Sequence, residues 1–218
     1  LQGLRDSDRW VTQSAASWGQ AGIDERLPPL ISSLLEDLLQ RTEEVTQLLW
    51  HQFPEEALER AEYRFEHGHI PDSLGDDAAS LAEQWRQLQR EVARLEAGLE
   101  NTRDGTQSGA TAAPQDADSD LVNAQGLGAR TEQQVALWEA FKVAPREGQP
   151  SDGWARWIQH RGSLPSLECQ ASPILPGELL REALWERVAG AVVTSATLTA
   201  LGTFDRFQER SGIPDSAR

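Results

Sequence analysis

The sequence predicts a mainly α-helical chain: a long helical hairpin that gives way, at its C-terminal end, to a small α/β portion. Two stretches with helical apolar spacing, residues 27–49 and 74–99, make up the hairpin. The character changes at Pro145, Gly148, Pro150 and Gly153, after which short alternating and continuous apolar runs suited to strands take over.

Taken in order, Leu27, Leu30, Ile31, Leu34, Leu35, Leu38, Leu39, Val45, Leu48 and Leu49 line one face of a long amphipathic helix. Pro28 and Pro29 fit its first turn, where a missing N–H forfeits no bond, and Pro54 marks its end or a restart. A shorter helix is predicted over about residues 55–66. After Gly68-His69-Ile70-Pro71, Asp72 or Ser73 can cap a third helix. Its apolar positions, Leu74, Ala78, Leu81, Trp85, Leu88, Val92, Leu95 and Leu99, advance in steps of 4, 3, 4, 3, 4, 3 and 4. That is a heptad seam, and the two long helices are expected to pair antiparallel across it. Each fully buried leucine contributes roughly 1.5–3 kcal/mol before entropy is counted, so few further partners are needed.

Residues 100–120 are rich in Gly, Ser, Thr, Ala and Asp without an apolar period, which predicts a mobile loop. Helical spacing returns near Leu121 and again over residues 131–141. Residues 154–158 and 164–171 predict a β-hairpin turning at Arg161-Gly162-Ser163. A helix over residues 177–187 is expected to turn Leu179, Leu180 and Leu184 inward. The continuous apolar run Gly190-Ala191-Val192-Val193-Thr194 reads as a buried strand, and a last helix covers residues 203–210.

The totals exclude several function classes. Of 218 residues, 39% are hydrophobic and 25% charged, and no apolar run approaches a membrane span. Net charge is −15, and the first hundred residues hold 20 acids against 9 bases, or −11. Such a surface argues against broad, nonspecific affinity for phosphates. There is no basic-then-apolar leader, and the chain opens on Leu1, which predicts a cytoplasmic fragment. One cysteine, Cys169, forms no intramolecular disulfide and supplies one thiolate where an iron–sulfur cluster needs about four. Cys169 reads as a core residue.

Other side chains offer little chemistry. Glu66-His67-Gly68-His69 has two imidazoles one residue apart, but two histidines and a carboxylate in an acidic chain read as a solvated turn. Arg60 and Arg64 read as partners of nearby glutamates. Trp154 and Trp157, flanking Arg156, could stack on bases; packing is the favoured reading, because tryptophan dominates burial. No G-x-x-x-x-G-K phosphate loop and no D-E-x-H box occurs, and Gly126-Leu127-Gly128 is too short to replace the first.

One segment stands out: Val192-Val193-Thr194-Ser195-Ala196-Thr197-Leu198, followed by residues 200–207 and Ser211-Gly212-Ile213. It resembles the region around helicase motif III in DinG-type proteins of superfamily 2. Residues 173–180, Leu184-Trp185 and the stretch Tyr63-Arg64-Phe65-Glu66-His67-Gly68-His69-Ile70-Pro71 extend the resemblance, the last of these looking like the arch region of that XPD-like family. The match looks nearest to the bacterial DinG/YoaA branch.

The resemblance implies a helical arch over residues 1–145 and the C-terminal part of a RecA-like first motor domain over residues 150–218. It implies a full-length, monomeric 5′-to-3′ DNA helicase with single-stranded DNA passing under the arch and no membrane attachment. ATP, Mg2+ and a 4Fe-4S cluster would be bound elsewhere in that protein, leaving this segment without a cofactor and unable to hydrolyse ATP alone. Ser195, Ala196 and Thr197 are its candidate site residues: small hydroxyls at a strand end can switch partners as a phosphate leaves, coupling hydrolysis to motion. The competing expectation is a non-enzymatic acidic helical adaptor for a partner protein; an acidic mimic of DNA is suggested by charge alone.

Overall fold

The computed structural model describes residues 2–52, 62–107, 117–145, 148–160, 167–194 and 203–214. Four long helices dominate: α1 (Gln2–Gln20), α2 (Leu27–Gln52), α3 (Asp72–Gln107) and α4 (Ala117–Lys142). A three-stranded antiparallel sheet, β1 (Glu62–Arg64), β2 (Trp154–His160) and β3 (Leu167–Pro173), caps one end in the order β1-β2-β3. Two short helices follow, α5 (Gly177–Leu180), which runs on as a wide π turn over Arg181–Trp185, and α6 (Asp205–Ser211).

Each long helix runs antiparallel to the next, as paired contacts show. Arg5 meets Glu43 at 2.8 Å while Thr12 meets Ser32, pairing α1 with α2. Arg41 reaches Asp77 at 2.5 Å and Asp24 reaches Arg94 at 3.6 Å, pairing α2 with α3. The Arg86–Glu139 ion pair and the seat of Gly128 against Glu96 pair α3 with α4. Ser7 meets Arg130 and Trp18 meets Asp120, which closes the ring between α4 and α1. The α1–α2 corner is a glycine-capped helix end: Gly22 takes φ +86°, and the Ile23 N–H returns to the Trp18 carbonyl at 3.0 Å.

The seam expected on the third helix is the centre of this bundle. All eight of its positions are buried, Leu81, Leu88, Val92 and Leu95 completely. Its main partner is α4 rather than α2. On α2, Leu30 and Leu48 are exposed while Ile31, Leu34, Leu35, Leu38, Val45 and Leu49 are buried. The sheet adds Ile158 and Phe65 to the same core, with Phe65 edge-on to Phe141 at 6.3 Å.

Several expectations change. Helix α1 arises from a segment with no reading, although Leu4, Ser7, Val11 and Trp18 follow heptad spacing and Val11 and Trp18 are wholly buried. The short helix expected over residues 55–66 falls on residues 55–61, outside the described residues, on Glu62–Arg64, which is a strand, and on Phe65 and Glu66, which lead into a short turn. Its partner β2 is 97 residues away (Glu62 opposite Gln159), beyond any local pattern. The expected loop over 100–120 is helical up to Gln107 and again from Ala117; residues 108–116 lie outside the described residues. The pattern expected as two pieces from Leu121 to Phe141 is one helix, with Gly126 and Gly128 inside it.

The hairpin of β2 and β3 forms, over 154–160 and 167–173 rather than 154–158 and 164–171, in register from Trp154 opposite Pro173 to His160 opposite Leu167; the expected turn at Arg161-Gly162-Ser163 lies outside the described residues. The C-terminal portion departs most. Leu179 and Leu184 are exposed at 55% and 40%, and Val192 and Val193, expected in a buried strand, are exposed at 91% and 41% with no strand assigned over residues 190–194. An apolar run becomes a buried strand when neighbours pair with its backbone, and none of the described strands does so here. No helix among the described residues is long and apolar enough to cross a membrane.

Candidate functional site

Ser195, Ala196 and Thr197 lie outside the described residues; what the structure places are their flanks. On one side the chain runs through α5 and the π turn to the exposed residues 191–194, and on the other it enters α6. These flanks are pinned together. A Cβ at Gly212, where φ is +68°, would overlap the Gly177 carbonyl, so the two glycines allow α5 and α6 to touch. The Trp185 indole donates to the Ser211 carbonyl at 2.5 Å. Between the two helices lies an open cleft of about 510 Å3 whose polar walls include Glu178, Arg181, Asp205, Gln208 and Glu209. Three carboxylates against one guanidinium disfavour an unaccompanied phosphate chain there.

The exposed apolar surface concentrates in this same region. Eight of the twelve large hydrophobic side chains exposed among the described residues fall between residues 174 and 204, including Ile174, Leu175 and Phe204. Exposed apolar side chains in that number suit a segment that packs against something else.

The hairpin that precedes this region is tied to the bundle through a buried charge. Arg156 points inward from β2, only 1% exposed. Its Nε donates to the Ala140 carbonyl at 2.8 Å, its Nη1 to the Gly68 carbonyl at 3.4 Å and to Asp152 Oδ1 at 3.1 Å, and its Nη2 to Asp152 Oδ2 at 2.6 Å. The hydrogen bonds from Arg156 hold the Asp152 carboxyl below the ordinary aspartate range, assisted by the Trp154 N–H. Gly68 has φ +76°, and a Cβ there would stand 2.5 Å from the Trp154 carbonyl, so the turn before α3 presses directly on β2. In the sequence Arg156 stands as a spacer between two tryptophans; what marks it is inward parity with Ile158 and an aspartate four residues earlier.

Trp154 and Trp157 fall at opposite parity on β2, so they cannot form one stacking platform. Arg64 pairs with Glu62 at 2.5 Å, as expected; Arg60 lies outside the described residues. His69 Nε2 donates to the Gln149 carbonyl at 2.9 Å, and His67 sits in the turn at φ +51°. Among the described residues no group of three or more His, Cys, Asp or Glu side chains is arranged to hold a metal ion. Burial, with a smaller contribution from Glu168, pushes the Cys169 thiol up to about 12, so it stays protonated inside β3. One protonated thiol does not fit a 4Fe-4S cluster.

A second polar centre, absent from the sequence reading, ties α1 to α4. The Asp120 carboxylate, 5% exposed, accepts from Trp10 Nε1 at 2.8 Å, Trp18 Nε1 at 2.7 Å and Ser14 Oγ at 3.2 Å. It stands in the first turn of α4, where the helix dipole favours a negative charge.

Comparison with known proteins adds a relationship that geometry alone does not supply. No family model matches the chain. It is similar to the ATP-dependent DNA helicase DinG of Shigella flexneri, at 29% identity over 191 residues, 88% of this chain and 25% of that protein. The corresponding protein of Escherichia coli strain K12 is 28% identical over the same span, and that of Salmonella paratyphi A is 30% identical over 161 residues, 74% of this chain and 22% of the relative. The chain is thus distantly homologous to DinG helicases and spans about a quarter of the length of these curated relatives.

Proposed function

We propose that this chain is a segment of an ATP-dependent 5′-to-3′ DNA helicase of the DinG type, and that its role there is mechanical. In this reading residues 1–145 form the helical arch that walls the single-stranded DNA passage. Residues 150–218 form the C-terminal part of the first motor domain, with motif III at Ser195-Ala196-Thr197. The observation that carries the reading is similarity to proteins of that name across most of this chain, joined to the segment Val192-Val193-Thr194-Ser195-Ala196-Thr197-Leu198.

Physical features support it. The exposed apolar side chains between residues 174 and 204 suit a segment that completes a larger domain, and Val192 and Val193 would enter its sheet as the strand the sequence predicts. ATP and Mg2+ would bind at a phosphate loop and D-E-x-H box elsewhere in the polypeptide, as would a 4Fe-4S cluster. The present segment would then hydrolyse no ATP alone. The full protein would act as a monomer in the cytoplasm. Ser195 and Thr197 would exchange hydrogen-bond partners as the phosphate leaves and pass that change to the motor domain.

The test uses the complete protein. Ser195→Ala and Thr197→Ala should keep most DNA-stimulated ATP hydrolysis while strand separation falls. Parallel loss of both activities would refute the coupling role, and a wild-type protein without DNA-stimulated ATPase would refute the helicase assignment itself.

A further inference from the structure

We propose that Arg156 is a positioning residue that locks the helical bundle to the β2–β3 hairpin; its use in unwinding rests on the function proposed above. The guanidinium has acceptors from three parts of the chain. Ala140 belongs to the last turn of α4, Gly68 to the turn just before α3, and Asp152 to the entry of β2. The first two sit at the same end of the bundle, because α3 and α4 are antiparallel, whereas the third moves with the hairpin.

A buried ion pair is a poor way to add stability. Desolvating both charges offsets their attraction, and an apolar side chain of like volume often does as well or better. What the planar fork supplies is orientation, since its donors satisfy several acceptors only in one relative placement of their carriers. Neighbouring geometry enforces the same placement: Phe65 N–H donates to the Arg156 carbonyl at 3.0 Å, and Gly68 leaves no room for a side chain against Trp154. Beyond the hairpin, the Ile174 N–H closes on the Gly153 carbonyl at 2.8 Å, and the chain enters α5, whose Gly177 abuts Gly212 in α6. A tilt of the bundle end is therefore passed to the hairpin, from which the chain leads on into α5.

The experiment compares the complete wild-type protein with Arg156→Lys, which keeps the charge and loses the fork, and Asp152→Asn, at the solvent edge of the pair. Amide hydrogen exchange is read first, because it does not depend on any helicase activity. Protection of residues 66–68 and of residues 153–158 should fall together, by about fivefold. Loss confined to the hairpin would overturn the junction. The second readout is base pairs opened per ATP hydrolysed, which should fall about fivefold with DNA-stimulated ATPase close to wild type. An unchanged ratio in a protein that does unwind DNA would overturn the positioning role. If Arg156→Lys does not fold, Asp152→Asn carries both measurements. Absence of ATPase in the wild type would count against the proposed function, and exchange would still decide the junction.

Discussion

Replacing Asp120 by asparagine tests whether the bundle is closed by hydrogen bonding or by shape. Asparagine matches aspartate in volume but offers one acceptor oxygen where the carboxylate has two. In the wild type Oδ1 serves Trp10 and Ser14 while Oδ2 serves Trp18. If the amide oxygen takes the Oδ1 place, the NH2 group faces the indole N–H of Trp18, which is 0% exposed and has no access to water. If it flips, Trp10 and Ser14 lose their acceptor instead. One orphaned buried donor, at about 1–3 kcal/mol, plus the lost charge assistance on the remaining bonds gives a destabilisation of about 3 kcal/mol. For a chain of 218 residues that lowers Tm by about 6–12 °C. Urea unfolding followed by far-ultraviolet circular dichroism and tryptophan fluorescence measures it, since Trp10 and Trp18 meet edge to face at 5.2 Å. A Trp18→Phe background removes the orphaned donor, so Asp120→Asn should cost less there. If Asp120→Asn lies within about 0.5 kcal/mol of wild type, the contact is one of shape and the reasoning fails.

Three further outcomes follow from the same geometry. Burial raises the Glu96 carboxyl above the ordinary glutamate value, with Glu100 adding to it, so folding favours the protonated form; that contribution is present at low pH and is lost as pH rises through the raised value. Glu96→Gln should therefore stabilise the chain at pH above that raised value, by up to about 0.5 kcal/mol, and a melting series across the acidic to neutral range that shows no such crossover would count against it. Cys169, its thiol pushed up to about 12 although the side chain is half-buried in β3, should react with a disulfide reagent at pH 8 more slowly than a free thiol and reach the free-thiol rate in urea; labelling of the native chain at the free-thiol rate would refute the raised value. Gly68→Ala, at φ +76° and against the Trp154 carbonyl, should cost about 2–3 kcal/mol, whereas the same change at Gly126, with open space around its Cβ, should cost nothing; equal melting temperatures for the pair would refute the close approach.

How much of this was legible from residues alone depends on how local the cause was. The heptad of α3 needed only a burying partner, and every position of its seam is buried whichever helix supplies the cover. The β2–β3 hairpin was likewise a short-range event. Helix α4 was read as fragments because Gly126, Gly128 and a buried Thr131 interrupt its apolar pattern. The fold resolves each: Gly128 admits Glu96 from α3, and the Thr131 hydroxyl donates to its own helix at 2.7 Å. Nothing in the neighbourhood of Glu62 could announce a strand whose partner lies in β2.

The same division holds for the candidate site. The sequence by itself determined helices α2 and α3, the hairpin and the absence of a phosphate loop, because composition and spacing carry those signals, while the resemblance at Ser195-Ala196-Thr197 rests on the residues themselves. Only the tertiary structure decided which side chains do the joining. Asp120 and Arg156 are ordinary charged residues until the fold surrounds one with indoles and the other with carbonyls, and a buried polar group is defined by the partners that distant segments bring to it.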